Sequence, residues 1–164
     1  MSAVMPRIRP EMAEIDILVE AGGWPEAEEL RRLTSASIVA AEQETRPVDS
    51  ALSVVFADDA AVLKLNSAFR QKDQPTNVLS FPAATTMSGQ LGDIALARET
   101  VFREAEEKSI PVSHHISHLV IHGFLHLLGH DHQTEVEAEE MEALERRALK
   151  RLNIADPYQE RGNG

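Results

Sequence analysis

Cysteine is absent from the 164 residues of the chain. Disulfide bonds, thiolate catalysis, iron–sulfur clusters and zinc sites that use Cys are therefore excluded. A transition-metal site in this chain can draw its ligands only from His, Asp and Glu side chains. A protein without cysteine also fits a reducing compartment such as the cytosol.

Positive charge is scarce. Lys and Arg together number 16 against 27 Asp and Glu, so the formal net charge at neutral pH is −11. A protein that binds nucleic acid through its overall charge needs many cations to contact the phosphates. The composition excludes that mode of binding. The same composition is compatible with a local basic site on an acidic body.

Long hydrophobic runs are also missing. The least charged long stretch, residues 114–129, contains five histidines, whereas a membrane span needs about 20 apolar residues. Prolines and arginines interrupt the apolar residues of segment 1–17, unlike the apolar core of a signal peptide. We therefore expect a cytoplasmic protein that is not attached to a membrane.

The spacing of apolar residues predicts a mixed order of strands and helices. Strands are predicted near residues 14–20, 53–56, 77–81 and 91–97, and helices near 24–44, 60–69, 99–108, 111–128 and 134–152. A hydrophobic fraction of 43% is typical of a globular protein. We predict a single domain over residues 1–164 of the α/β (α+β) class, with one mixed sheet of about four strands packed with helices.

The histidines form the most distinctive pattern in the sequence. All seven lie between residues 114 and 132, and five of them recur every four residues: His114, His118, His122, His126 and His130. Residues four apart lie on one face of a helix. Because such a row turns by about 40° per step at 3.6 residues per turn, only neighbouring members can share one ligand.

The best-formed part of the row predicts a metal site. His122 and His126 lie one helical turn apart, and Gly129 allows the chain to leave the helix and fold back so that His132 comes within reach. The H-x3-H-x5-H spacing, with Gly seven residues after the first His, is the zinc-binding layout of the metzincin peptidases. Three neutral imidazoles suit Zn²⁺ and leave a fourth coordination position for water.

Position 123 separates this motif from the peptidases. The peptidase pattern has Glu there as the general base, and this chain has Gly123. The missing proton acceptor argues against proteolysis. We also expect the glycine to leave room beside the ion for a larger substrate group.

A closed structural zinc site is the alternative to an open one. It would need a fourth protein ligand, for which His130, Asp131 and His118 are the candidates. His114, His115 and His118 lie one or two turns from His122, so we expect them to be exposed or to support the ligands rather than to bind the metal.

Three segments resemble one known family. They are HGFLHLLGHDH at residues 122–132, LNSAFRQKDQPTNVLSFP at 65–82 and LGDI at 91–94. Together they are similar to the HGxLHLxGxDH signature, the LN-x3-R-x-K-D-x-PT-(D/N)-VLSFP block and the LGDI strand of the YbeY family, the bacterial endoribonucleases also called rRNA maturation factors. At the position of His130 the family commonly has Tyr.

The resemblance implies an α/β fold and one zinc ion per chain, held by His122, His126 and His132. His122 and Arg70 are the catalytic residues that it implies. The implied activity is cleavage of single-stranded RNA in small-subunit rRNA 3′-end maturation and in ribosome quality control. The implied partners are precursor rRNA, the small ribosomal subunit, a ribosomal protein on its platform and an Era-like GTPase.

Further polar residues are candidates for substrate contact or support of the ligands. The planar guanidinium of Arg70 can bind two phosphate oxygens, with Lys72 assisting from the same predicted loop; the alternative is an ordinary cation at a helix C-terminus. Asp131 is expected to orient a ligand imidazole. His130 could add a ligand or carry a proton, and Asp93 is an acidic residue that the fold could bring near.

Three functional hypotheses follow from the sequence. The first is a zinc-dependent endoribonuclease. The second is a metal-stabilised binding module that assists ribosome assembly without cutting RNA. The third is a metallopeptidase, which Gly123 disfavours.

Overall fold

The computed structural model of the chain describes residues 14–70, 76–83 and 89–158. Within these ranges four strands and five helices follow one another in the predicted order. They are β1 (Glu14–Val19), α1 (Ala27–Glu44), β2 (Ala51–Ala57), α2 (Asp59–Arg70), β3 (Val78–Pro82), β4 (Gln90–Ala97), α3 (Arg98–Lys108), α4 (Val112–Leu127) and α5 (Glu135–Arg151). The predicted fold class, with one sheet of four strands, is confirmed.

The sheet is mixed, with the strand order β1-β2-β4-β3. β1 pairs in parallel with β2 and β2 in parallel with β4, whereas β3 runs antiparallel to β4. Helix α1 makes the crossover that two parallel neighbours such as β1 and β2 require. In this strand order β3 lies at the edge of the sheet. An edge strand can include a proline, which explains why β3 includes Pro82, a residue that the sequence prediction placed after the strand.

The two faces of the sheet carry cores of different size. Successive residues of a strand point to opposite faces. Leu52, Val54 and Phe56 of β2 belong to the larger core, to which α1, α4 and α5 contribute. Val55 and Ala57 belong to the smaller core on the other face, against α2. The helix that carries the histidines thus lies on the larger-core face.

Helix α4 is the central helix of that face. It contacts α1, α3, α5, β3 and β4, which explains why it is apolar on most sides. After its end, Gly129 adopts the predicted left-handed conformation, with φ of 103°, and the backbone N–H of His130 donates to the carbonyl of Leu125 at 3.0 Å. This tight turn folds the chain back toward the helix.

Helix α5 begins with a reciprocal cap. The hydroxyl of Thr134 accepts from the backbone N–H of Glu137 at 3.1 Å, and the carboxylate of Glu137 accepts from the backbone N–H of Thr134 at 3.2 Å. Its inner face buries Met141, Glu145 and Leu149 against the core. Across the described ranges, no helix is both long and apolar enough to cross a membrane.

Candidate metal centre

Three histidines converge where α4 ends and the chain turns back. One ring nitrogen from each of His122, His126 and His132 lies within 4.8 Å of the other two. His122 and His126 are partly buried on α4, and His132 is exposed in the segment that follows Gly129. The structure thus brings together the trio that the sequence spacing predicted.

The atoms that face one another suit a zinc ion. Nε2 of His122 and Nε2 of His126 are 3.2 Å apart. Zn–N bonds of about 2.0–2.1 Å in a tetrahedral site separate two ligand nitrogens by about 3.3 Å. Among the described His, Asp and Glu residues, no fourth ligand atom joins these three within 4.8 Å of one another.

The electrostatics at His126 favour an uncharged imidazole. Burial lowers the pKa of His126 to about 4, with a further lowering from the neighbouring His122 and His132. A neutral imidazole is the form that binds a metal ion. At neutral pH His126 is therefore ready to act as a ligand.

Glu145 of α5 is a part of the site that sequence reasoning missed. Its side chain has no exposed surface, and its Oε2 lies 2.6 Å from Nδ1 of His122 while its Oε1 lies 2.8 Å from Nε2 of His118. Burial would raise the pKa of this carboxyl, but the hydrogen bonds from His118 and His122 outweigh burial and bring the pKa to about 2. Glu145 is therefore an ionised carboxylate directly behind the imidazole of His122.

A signal for Glu145 does exist in the sequence. The helix is rich in glutamate, and most of its acidic residues form the solvated face that such a composition predicts. Glu145, however, falls four residues after Met141 and four before Leu149, on the apolar face of the same helix. A carboxylate in an apolar stripe indicates a buried partner.

The remaining histidines of α4 do not join the trio. His115 is 1% exposed and lies 2.8 Å from Oε1 of Glu104 on α3. His118 is 8% exposed and contacts Glu145. His114 is partly exposed and lines a small cavity elsewhere on the helix. Both His115 and His118 are buried. His118 shares the carboxylate of Glu145 with His122, whereas the carboxylate partner of His115 is Glu104.

A cleft of about 850 Å³ opens over the three histidines. Its other described lining residues are Asn66, Thr76, Asn77, Val78, Leu79, Ser80, Pro82, Gly129, His130, Asp131 and Gln133. This lining is polar, and within the described ranges it contains neither Lys nor Arg.

The sequence-predicted candidates beyond the trio are placed in different ways. His130 and Asp131 line the cleft, and Oδ1 of Asp131 accepts from the backbone N–H of His132 at 2.7 Å. Asp131 thus contacts the backbone of His132 rather than an imidazole of the trio, whereas the carboxylate that contacts such an imidazole is Glu145. Asp93 is exposed on β4, and it points to the face opposite α4 because Ile94, the next residue, packs against Gly123.

The two candidate cations lie at the end of α2 and beyond it. Arg70 is the last residue of α2, one turn after Asn66, whose side chain lines the cleft. The side chain of Arg70 and all of Lys72 lie outside the described residues.

Gly123 serves the packing of α4 rather than an enlarged substrate space. A Cβ atom at this position would lie 2.9 Å from Cγ2 of Ile94 and 3.1 Å from Oγ of Ser80. The expectation that glycine leaves room for a substrate group is therefore wrong, because side chains of β4 and β3 occupy that room.

Comparison with known proteins extends this description. The model of the family described as Endoribonuclease YbeY matches residues 23–153. A protein named Endoribonuclease YbeY from Chelativorans sp. is 54% identical over 150 residues, which cover 88% of this chain and 92% of that protein. Another of that name from Rhizobium etli is 47% identical over 163 residues, covering 90% and 95% respectively.

A solved structure is similar as well. The solution structure of a Thermotoga maritima protein covers 89% of this chain and 99% of its own, with a TM-score of 0.55 and 25% sequence identity. The residues that the family model matches include the histidine trio and Glu145.

Proposed function

The chain belongs to the endoribonuclease YbeY family, and from this we propose that it is a zinc-dependent endoribonuclease that cleaves single-stranded RNA. The observation that carries the proposal is the convergence of His122, His126 and His132 beneath an open cleft. We place its action in small-subunit rRNA 3′-end maturation and in ribosome quality control.

Hydrolysis of a phosphodiester requires an activated oxygen nucleophile and stabilisation of the charge that develops on the phosphoryl oxygens. When bound, a zinc ion supplies Lewis acidity and lowers the pKa of water to about 7. His122, His126 and His132 would hold this ion at the base of the cleft. The exposure of His132 keeps this end of the site open to a substrate.

We assign Arg70 to the phosphate group of the substrate, with Lys72 assisting. The described lining of the cleft has no Lys or Arg, and a transferring phosphate needs a positively charged partner. Arg70 follows Asn66, a residue that lines the cleft, by one turn of α2, which supports this assignment. Its planar guanidinium suits two phosphate oxygens.

The substrate and partners of this proposal are precursor rRNA, the small ribosomal subunit, one of its platform proteins and an Era-like GTPase, in the cytoplasm. A net charge of −11 supports a local mode of RNA binding at the cleft, since an acidic surface repels phosphates elsewhere.

The test combines metal content and RNA cleavage in one preparation. Purified zinc-loaded protein should bind one ion per chain and cut single-stranded RNA in preference to a duplex, and His126→Ala should lose both properties. His114→Ala, which removes another histidine from α4, is the matched control and should keep both. Cleavage that survives His126→Ala and chelation, or zinc binding without any cleavage, would contradict the proposal.

A further inference from the structure

The buried carboxylate of Glu145 contacts side chains from two other parts of the chain, α4 and the segment after α5. Its Oε2 contacts Nδ1 of His122 at 2.6 Å. Its Oε1 contacts Nε2 of His118 at 2.8 Å and the hydroxyl of Tyr158. Among the described residues, its hydrogen-bond partners are thus two imidazoles of α4 and one phenol of the segment after α5.

The contact with His122 decides which nitrogen of that ring is free. A carboxylate has only acceptor atoms, so Nδ1 of His122 must donate its proton to Glu145. A neutral imidazole carries one N–H, which leaves the lone pair on Nε2. Nε2 is the atom that lies 3.2 Å from Nε2 of His126, on the side where the trio converges.

Tyr158 holds the carboxylate from the other side. Its hydroxyl donates to Oε1 of Glu145, and its ring packs edge-on against His118 with the centroids 5.5 Å apart. Its backbone N–H donates to Asp156 at 2.8 Å, and Asp156 in turn accepts from Nε of Arg146 on α5. The segment after α5 is therefore anchored to the helix that carries Glu145.

The burial of Glu145 calls for an explanation beyond packing. Glu145 is 0% exposed, and a buried carboxylate costs several kcal/mol unless it is well compensated. The contacts described above come from two imidazoles and a phenol rather than from Lys or Arg. A positive charge on the far side of the His122 ring would compensate such an anion.

We propose that Glu145 is a positioning residue of the metal centre: it fixes His122 in the tautomer that presents Nε2 to the ion, and His118 and Tyr158 hold the carboxylate in place. This inference rests on the proposed metal-dependent function. A carboxylate or carbonyl behind a ligand histidine fixes the ring orientation and raises the basicity of the ligand atom. Glu145 does not touch the reacting atoms.

The test uses the full chain with two substitutions. Glu145→Leu has similar volume and no acceptor, whereas Glu145→Gln keeps one acceptor oxygen. Zinc affinity, measured by competition with a chromophoric chelator, should fall about 10- to 100-fold in Glu145→Leu and less in Glu145→Gln. Glu139→Leu, an exposed position of the same helix, is the matched control and should leave the affinity unchanged.

A second readout needs no metal. In metal-free protein with ¹⁵N-labelled histidine, proton–nitrogen correlation spectra should show His122 with its proton on Nδ1. In Glu145→Leu the proton should move to Nε2, and Glu145→Gln should retain more of the original tautomer. If Glu145 had a purely structural role, its substitution would leave the tautomer equilibrium of His122 unchanged while the fold is intact.

The outcomes separate this inference from the proposed function. Unchanged zinc affinity together with an unchanged tautomer in Glu145→Leu would overturn the inference and leave the nuclease proposal standing. If the wild-type protein binds no zinc, the metal-dependent function is overturned even where Glu145→Leu changes the tautomer of His122. The role of Glu145 at a metal centre is then overturned as well. If Glu145→Leu does not fold, Glu145→Gln decides, and wild-type affinity in that variant would overturn the inference.

Discussion

The hydroxyl of Ser80 donates a hydrogen bond to the carbonyl oxygen of Gly123 at 3.1 Å. This bond joins the edge strand β3 to α4 at the residue next to His122. The absence of a side chain at position 123 allows the helix to approach Ile94 and Ser80 closely. The packing of α4 against the sheet at Gly123 therefore also fixes the position of the neighbouring His122.

Gly123→Ala should destabilise the protein. The new Cβ would lie 2.9 Å from Cγ2 of the fully buried Ile94, and such overpacking costs about 1–3 kcal/mol. Alanine gains up to about 1 kcal/mol in helix propensity, so the net free energy of unfolding in urea should fall. Gly22→Ala, which meets no atom within 4 Å, is the control and should stay within about 0.5 kcal/mol. A Gly123→Ala variant as stable as wild type would contradict the packing role of this glycine.

Zinc should stabilise the folded chain through the trio. At a free concentration of about 100 times its Kd, a ligand that binds only the native state adds about 2.7 kcal/mol. Thermal unfolding with and without zinc should show the increase in wild type and its loss in His132→Ala. His114→Ala should respond as wild type does. Equal stabilisation of His132→Ala would show that His132 is not a ligand.

Acid should destabilise the metal-free protein. The pKa of His126 is about 4 in the folded state against a usual value of 6.5, so the unfolded chain takes up this proton first. The contribution of His126 to the free energy of unfolding is complete above pH 6.5 and is lost as the pH falls toward 4. This contribution is at most about 3 kcal/mol. Urea unfolding across this range should show the loss in wild type.

His126→Asn should flatten the dependence of the free energy of unfolding on pH between 6.5 and 4, because the imidazole that resists protonation is gone. His114→Asn is the comparison variant and should keep the wild-type slope. An unaltered slope in His126→Asn would assign the acid sensitivity to other groups.

Arg70→Ala should separate catalysis from metal binding. Loss of a group that stabilises charge in the transition state lowers the rate by about 10²- to 10³-fold, while the histidine trio is untouched. RNA cleavage and zinc content should be measured on the same sample, with Arg31→Ala, an exposed arginine of α1, as the control. Full cleavage by Arg70→Ala would favour the interpretation of Arg70 as an ordinary helix-end cation.

The order of elements and the trio could be predicted from the sequence because both depend on local spacing. His122 and His126 share a helix face, and Gly129 supplies the turn that returns His132. Glu145 could not be predicted in its role, because its contact with His122 spans 23 residues and depends on how α4 and α5 pack.

Other differences also depend on tertiary structure. The side to which Asp93 points follows from the register of β4 against β3, and a shift of one residue would reverse it. Nothing in the sequence around position 123 indicates that the helix packs there against Ile94 and Ser80.

The described lining of the cleft, which includes Asp131 but no Lys or Arg, bears on how an RNA product would leave the site. Few phosphate contacts make the logarithm of affinity fall only gently with the logarithm of salt concentration. Since the chain also has a net charge of −11, we expect a severed strand to dissociate quickly, and we expect residence on one transcript to depend on a further macromolecule that holds the protein there.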